Sequence, residues 1–425
     1  MTIFKKENFA IILLLLPLSF IVGIAITELL VFISIVFFIL FNKDKLIFFD
    51  LKIIFLFLFS IYIFFNALIQ ISDDLKISSL VYFRFIIFSL SIFYFCKILE
   101  TSKKKKYFIF FILSLIILIL DSLFQFFKGV NLLDFKIYNG RVSSFFGDEL
   151  ILGSFLVRLL PITLWFFLYF NIDVKKYTIL NIVFFSLYFI TIYLSGERTS
   201  FILMLIPLIF LIIIFIKIFR KIFSISFFML ILFILFTMFL NIGSTNPSNR
   251  MFIKTFNQLT DNKIINNTNK KSDINLENIS KNIKIYSSDH HGHIILALKL
   301  FKENKLFGKG PKGFRHYCRS INFNSNIGIC STHPHNTIIQ IISELGLIGL
   351  AFYVIAAIFI IIKFFQSMLK KNYNNNFLSF YVITFGLVIN LFPFIPSGNF
   401  FNNWISIIIY YNVGLYLFSY KKIYF

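Results

Sequence analysis

A dozen stretches of mostly apolar residues, each near the length that carries a helix across a bilayer, follow one another along this chain and leave it few folds to choose from. A helix needs about 20 such residues to cross roughly 30 Å of hydrocarbon. The stretches run at about 9–25, 27–41, 53–71, 79–98, 107–127, 149–170, 177–195, 199–217, 222–241, 337–362, 377–396 and 403–420. Only Gly23 and Glu28 interrupt the first two. With 58% apolar and 20% aromatic residues among 425, the composition is that of an integral membrane protein and excludes a soluble domain. The N-terminal MTIFKKENF precedes an apolar run without a small-residue cleavage site, so it reads as a retained first helix rather than a signal peptide. The expected fold class is an all-α integral membrane protein of about twelve transmembrane helices with one large extracytoplasmic loop.

The basic residues orient that bundle. Lys5 and Lys6, Lys43 and Lys45, Lys103 to Lys106, Lys175 and Lys176, Lys217 with Arg220 and Lys221, Lys370 and Lys371, and Lys421 and Lys422 fall at every second connection. Short loops rich in Lys and Arg stay in the cytoplasm, so both termini and these turns are expected there, which requires an even number of spans. The alternate connections, at 72–76, 128–148, 195–198 and 396–400, are poor in basic residues or mixed.

The chain thus divides into an N-terminal membrane bundle over 1–241, an extracytoplasmic loop over 242–336 and a C-terminal bundle over 337–425. The loop carries fourteen Lys and Arg against five Asp and Glu, and all six histidines of the protein. Long loops are exempt from the charge rule, so its basicity does not contradict its placement. Its centre, 262–284, is low in complexity. On either side lie two helical patterns: Met251, Phe252, Phe256 and Leu259 behind a candidate N-cap at Ser248, and Ile294, Ala297, Leu298 and Phe301 ahead of Gly308. Both suit short amphipathic helices at a membrane surface. Cys318 and Cys330 would pair in an oxidising compartment, whereas zinc would call for a different spacing; Cys96 sits in an apolar run and reads as packing.

Polar side chains at membrane depth are costly and by default mark a function. Arg198, in LSGERTSFILML, stands at the outer start of a span. It either grips a phosphate with two prongs, as Lys cannot, or snorkels beside Glu197. His333 and His335, in THPHN, stand directly before the tenth span. Either is the residue type to take a proton from a hydroxyl at neutral pH, or a solvated loop histidine. Asn336, Gln340 and Glu344 follow at i+4 steps on one helix face, with Glu344 about 12 Å below the helix start. At that depth Glu344 needs a partner, and it either takes part in the chemistry or positions the histidine turn. Gly346 and Gly349 allow close packing of the helix. Arg315 and Arg319, with Gly308, Gly310 and Gly313 in GKGPKGFRHYCR, suit phosphate contacts along a tight backbone path with exposed amides. Arg141, in NGRVSSFFGDELILG, either contacts a ligand or pins a loop.

Taken together, the large loop before the tenth span, NGRVSSFFGDELILG, SGERTS, FKENKLFGKGPKGFR and above all HPHNTIIQIISELGLIGL resemble the O-antigen ligase and polymerase family of bacterial membrane glycosyltransferases, which are GT-C-like. The resemblance implies metal-independent transfer of a glycan from an undecaprenyl-diphosphate carrier to an acceptor hydroxyl outside the inner membrane. It implies that Arg198 binds the diphosphate and that His335, the histidine preceding Asn, is the base. The family often has a second arginine ahead of the helix leading to the GxG element; here DHHGHIILALKLF places His290 and His291 near that position, and Arg250 or Arg315 would have to supply the contact. No DxD metal motif stands on the outer side. Expected partners are the lipid-linked donor, lipid A core or another glycan as acceptor, and membrane lipids, with no cofactor and no nucleic acid. The length of the basic loop and the HPHN element favour a ligase. A polymerase shares the donor, and a flippase of lipid-linked sugars would need the arginines but no histidine at the junction.

Overall fold

The computed structural model of the protein describes residues 11–43, 50–70, 79–101, 108–214, 217–240, 243–253, 288–320, 330–369, 374–393, 396 and 398–424. Among these residues there is no strand, and isolated bridges join only Val130 to Lys136 and Tyr138 to Arg141. A helix stands at each of the apolar stretches: α1 (Ile12–Val22), α2 (Ile24–Phe41), α3 (Leu51–Gln70), α4 (Arg84–Thr101), α5 (Phe108–Lys128), α6 (Leu152–Tyr169), α7 (Thr178–Leu194), α8 (Arg198–Ile214), α9 (Lys217–Leu240), α12 (Thr337–Leu369), α13 (Asn375–Asn390) and α14 (Asn403–Tyr424). Two further helices, α10 (Ser288–Glu303) and α11 (Gly313–Ser320), belong to the polar segment. Among the described residues seven helical stretches are long and apolar enough to cross a membrane, and α1, α7, α13 and the Arg198–Ile209 part of α8 are apolar but shorter. Helix positions therefore follow the hydropathy pattern, while twelve crossings remain an expectation drawn from the charges.

The core is built around α6, which is buried on every side from Leu152 to Leu168. Close approach makes this dense: a Cβ added to Gly386 of α13 would lie 2.8 Å from Pro161 Cβ and 2.5 Å from Asn412 Oδ1 of α14. Small residues at such contacts are how helices pack tightly when hydrophobicity alone does not drive them together. The expected weak point between the first two stretches is a real break at Gly23 (φ +148°), whereas Glu28 lies inside α2 and pairs with Arg84 at 3.2 Å.

The helix ends form two rims of different character. At one rim the side chains Lys52, Lys175, Lys176, Lys363, Lys421 and Lys422 collect near the bonds Tyr94 OH to Phe41 O, Tyr169 OH to Cys96 O and Asn375 Nδ2 to Asn171 Oδ1. Lys5, Lys6, Lys45, Lys103 to Lys106, Lys370 and Lys371 lie outside the described residues, as do 72–76 and 262–284. The other rim holds the loop 129–151, the SGER turn, the polar segment and the connection between α13 and α14.

Two local expectations in the polar segment need correction. Ser248 turns its hydroxyl to Tyr193 OH rather than to the amides that follow, and the described Asn249–Ile253 is π-helical and buries Met251. Phe256 and Leu259 lie outside the described residues. In α10 the buried face is His293, Leu296, Ala297 and Leu300, so of the expected stripe only Ala297 is fully buried. The stripe is rotated because α10 packs on α12 and on Phe314 and Cys318 of α11, which draw His293 inward with the aliphatic residues.

Candidate functional site

Three arginines converge on the SGER turn. Arg198 Nε donates to Arg250 O at 3.1 Å, Arg250 Nε donates to Gly196 O at 3.1 Å, and Arg141 Nε donates to Ser195 O at 3.2 Å while its Nη2 donates to Leu150 O at 2.6 Å. The turn can receive them because Gly196 holds φ +63° and leaves room for Arg141 Cγ and Arg250 Cδ at 3.1 and 3.2 Å from where a Cβ would stand. Glu197 pairs with Arg141 at 3.5 Å, so the expected alternative of an Arg198–Glu197 pair gives way to an Arg141–Glu197 one. The carboxylate also accepts from Gly153 N (2.9 Å), Ser154 N (3.1 Å) and Ser200 Oγ (2.9 Å), which puts it at the positive N-terminal end of α6. Burial nevertheless pushes Glu197 above the ordinary carboxylate range, with Arg141 and these bonds opposing. Burial likewise holds Arg141 below its usual range; Glu197 counters this, and the like charge of Arg250 adds to it. Arg250 also lies close enough to Arg198 for their charges to repel. Three guanidinium groups beside one carboxylate form a cationic site suited to a doubly charged anion.

The histidine turn stands at the start of α12. His335 adopts φ +58°, a region non-glycine residues rarely enter, and its Nε2 is 3.0 Å from Ser331 Oγ. Its ring centroid lies 4.0 Å from that of His333 and 5.3 Å from that of His293. His333 Nδ1 is 2.9 Å from Thr332 Oγ1. Of the described histidine side chains in DHHGHIILALKLF, His293 reaches this turn; the side chain of His290 lies outside the described residues, and His291 is half-buried. Helical spacing held the signal, since His293 shares a face with Leu296, Ala297 and Leu300. Asn336 caps α12 through Oδ1 to Ile339 N (3.0 Å) and donates from Nδ2 to Pro393 O (2.8 Å).

One turn and two turns further, Gln340 and Glu344 are fully buried on the same face. Gln340 Nε2 donates to Glu344 Oε2 (2.9 Å) and Asn399 Oδ1 (2.8 Å), and its Oε1 accepts from Phe400 N (2.9 Å). Glu344 in turn accepts from Phe314 N (3.3 Å) in the first turn of α11. Here the geometry favours positioning: Glu344 anchors the helix that carries Arg315, and Gln340 anchors the connection into α14.

The GxG element docks into a break in α12. Gly346 (φ +64°, ψ −162°) interrupts the helix, and Leu347 N and Ile348 N bond Lys305 O and Leu306 O while Lys309 N bonds Ser343 O. Leu345 O, freed by the break, accepts from Tyr62 OH, and Asn66 Nδ2 of the same α3 donates to Phe307 O. Gly308 and Gly346 are therefore in backbone contact, and Gly346 serves this docking rather than helix-on-helix packing. The amides expected to be open to a phosphate are partly spent: those of Gly308, Lys309 and Gly313 all bond protein carbonyls. A disulfide between Cys318 and Cys330 (Cα–Cα 5.5 Å) then ties α11 to the histidine turn. Arg319 is exposed at the end of α11.

Arg315 does not join the other three arginines. It lines a cavity of about 440 Å³ on the same rim, together with Lys312, Asn399, Asn402, Asn403 and Trp404, to which Arg141, Arg198 and Arg250 do not contribute. Burial and Arg315 press Lys312 below the ordinary lysine range, Glu344 opposing and Arg84 adding. Beneath this cavity lies Arg158 of α6, 3% exposed, bonded to Ser154 and facing the Trp404 ring at 5.8 Å. Sequence reasoning passes over Arg158, although a lone cation inside FLVRLLPITLW is itself the signal.

Residues 183–354 match the family model described as O-antigen ligase. The matched stretch contains Arg198, Arg250, His293, His333, His335, Gln340 and Glu344. No curated protein matches the chain. With the multi-pass helical fold, the SGER arginines and the histidine turn already placed, this match makes the stretch from 183 to 354 similar to the O-antigen ligase family of membrane glycosyltransferases.

Proposed function

We propose that the protein is an O-antigen ligase-like enzyme that moves a glycan from an undecaprenyl-diphosphate carrier to a hydroxyl of lipid A core on the periplasmic face of the inner membrane. The observation that carries this reading is the presence, on one rim, of a cationic cluster fit for a diphosphate and a histidine turn fit for a base. Glu197 at the α6 amides and Gln340 bonded to Asn399 link the SGER turn, α6, α12 and the entry to α14 into that rim. The lysines gathered on the opposite rim support a cytoplasmic placement there, and a disulfide on the reactive side suits an oxidising compartment.

In the reaction, His335 takes the proton of the acceptor hydroxyl as its oxygen bonds the anomeric carbon. The bond from that carbon to the diphosphate oxygen breaks, and the diphosphate leaves with the electron pair. Arg198, Arg250 and Arg141 hold the departing charge, the task a metal performs in other transferases. His333, Asn336, Gln340 and Glu344 position the turn. Such a site needs no cofactor, because a diphosphate leaves readily once its charge is held. The left-handed backbone at His335 fits a side chain held in place by its surroundings rather than by its own preference.

The test is a reconstituted assay offering a lipid-linked glycan with either lipid A core or a second carrier-linked unit. Transfer to the core supports the ligase, elongation of the carrier-linked unit would make the enzyme a polymerase, and carrier movement without a new glycosidic bond would make it a flippase.

A further inference from the structure

The cavity beside Arg315 has an apolar wall from Phe20 to Ile24 with Phe145, Phe146 and Ile151, and a polar wall made mostly of hydrogen-bond donors. Asn402 Oδ1 accepts from Trp404 N (3.2 Å), Asn403 Oδ1 accepts from Arg84 Nη2 (3.3 Å), and Asn399 Oδ1 accepts from both Phe401 N (2.9 Å) and Gln340 Nε2 (2.8 Å). With each amide oxygen engaged by the protein, the NH2 group of each asparagine is the end left for a ligand. Lys312 and Arg315 add two cations against the single carboxylate of Glu149 in the lining, and among the described residues Arg315 has no ion-pair partner. At about 440 Å³ the space is that of a small-molecule site and larger than a single phosphate requires. A pocket rich in donors, with surplus positive charge and room for a ring, selects a ligand rich in acceptors that carries a negative charge.

We propose that this cavity is the acceptor subsite and that it recognises an anionic sugar, one bearing a phosphate or a carboxylate, separately from the arginine cluster at the SGER turn. The inference rests on the glycosyl-transfer reading for its role, but the ligand class follows from the cavity alone. The protein has two tryptophans, Trp404 in the cavity wall and Trp165, which is fully buried and outside the lining, so emission changes on binding report Trp404 over a constant background.

The full chain in phosphatidylcholine nanodiscs is titrated with a hexose 6-phosphate, a hexuronic acid, the neutral hexose and inorganic phosphate. The expected result is a midpoint for both sugar acids at least tenfold lower than for the neutral hexose or inorganic phosphate. Arg315→Gln and Asn402→Asp each raise it at least fivefold, and Arg198→Lys leaves it in place. Asn402→Asp keeps the oxygen that receives Trp404 N and puts an anionic acceptor in place of the donor, so it guards against a folding artefact. Equal response to the neutral hexose, equal response to inorganic phosphate, indifference to both cavity substitutions, or saturation by phosphatidylglycerol in the disc would each overturn the assignment, the last by showing a lipid headgroup site. A transfer assay on the same preparations reads the role: Arg315→Gln raises KM for acceptor at least tenfold with KM for donor within twofold, and an unchanged acceptor KM would overturn it. Absence of transfer even from the parent chain would count against the reaction proposed above, while the emission titration still decides the ligand.

Discussion

At the scale of single residues, the roles separate by what each side chain touches. His335→Ala is expected to lower transfer by about 10²- to 10⁴-fold, the usual contribution of a positioned base, with lipid-linked donor still bound. Normal surface polysaccharide in that variant would remove the base and favour transport. Arg198→Lys is expected to retain less than roughly a tenth of the activity, because lysine keeps the charge and loses both the fork and the Nε bond to Arg250 O; near-normal turnover would take Arg198 out of the site. The candidates were legible as residue types in context, and their roles are the proposal above: Arg141, Arg198, His333, His335 and the Asn336–Gln340–Glu344 stripe are all polar groups where a membrane chain does not place them idly. What one dimension hid was pairing. That Glu197 belongs to Arg141, that His293 meets His335, and that Arg315 stands with Lys312 all depend on the folded arrangement.

At the scale of elements, the break in α12 is the feature with the largest local consequence. Gly346→Ala would put a Cβ 2.2 Å from Leu306 O at φ +64°, whereas Gly140→Ala meets nothing within 4 Å at φ +67°. The Gly140 variant carries only the conformational cost, and the Gly346 variant is expected to lose roughly 1–3 kcal/mol in all, seen as a clearly lower thermal midpoint in detergent. Equal midpoints would mean that the docked loop does not share the stability of the helix. Hydropathy located a helix at every apolar stretch, although Thr337–Leu369 runs past its expected end and Asn375–Asn390 stops short of it, since length and composition define such segments better than their ends. It could not reveal that a helix of 33 residues is two helices joined at a glycine, because apolar residues lie on both sides of Gly346 and the cause is a loop from another part of the chain.

At the scale of the whole molecule, orientation is the quantity to measure. Reporters at both termini are expected in the cytosol, and thiol reagents applied to the outer face of native membranes should label Cys318 and Cys330 only after a reductant is added. Labelling without reductant would show either that the pair is open or that the two cysteines are not joined in the membrane. The alternation of basic turns is the source of this expectation, whereas the packing of α6 at the centre was not readable from the chain, since every apolar run looks equally buried by composition. One mechanical result follows from how the loop is sewn into α12. Through Leu347 N, Lys309 N and the disulfide, the histidine turn, α11 and the outer half of α12 are fastened at three points and so travel as a single block. On the glycosyl-transfer reading proposed above, a glycan entering the cavity would meet this fastened block on one side and, on another, the helix break at Gly23, which lines the same cavity.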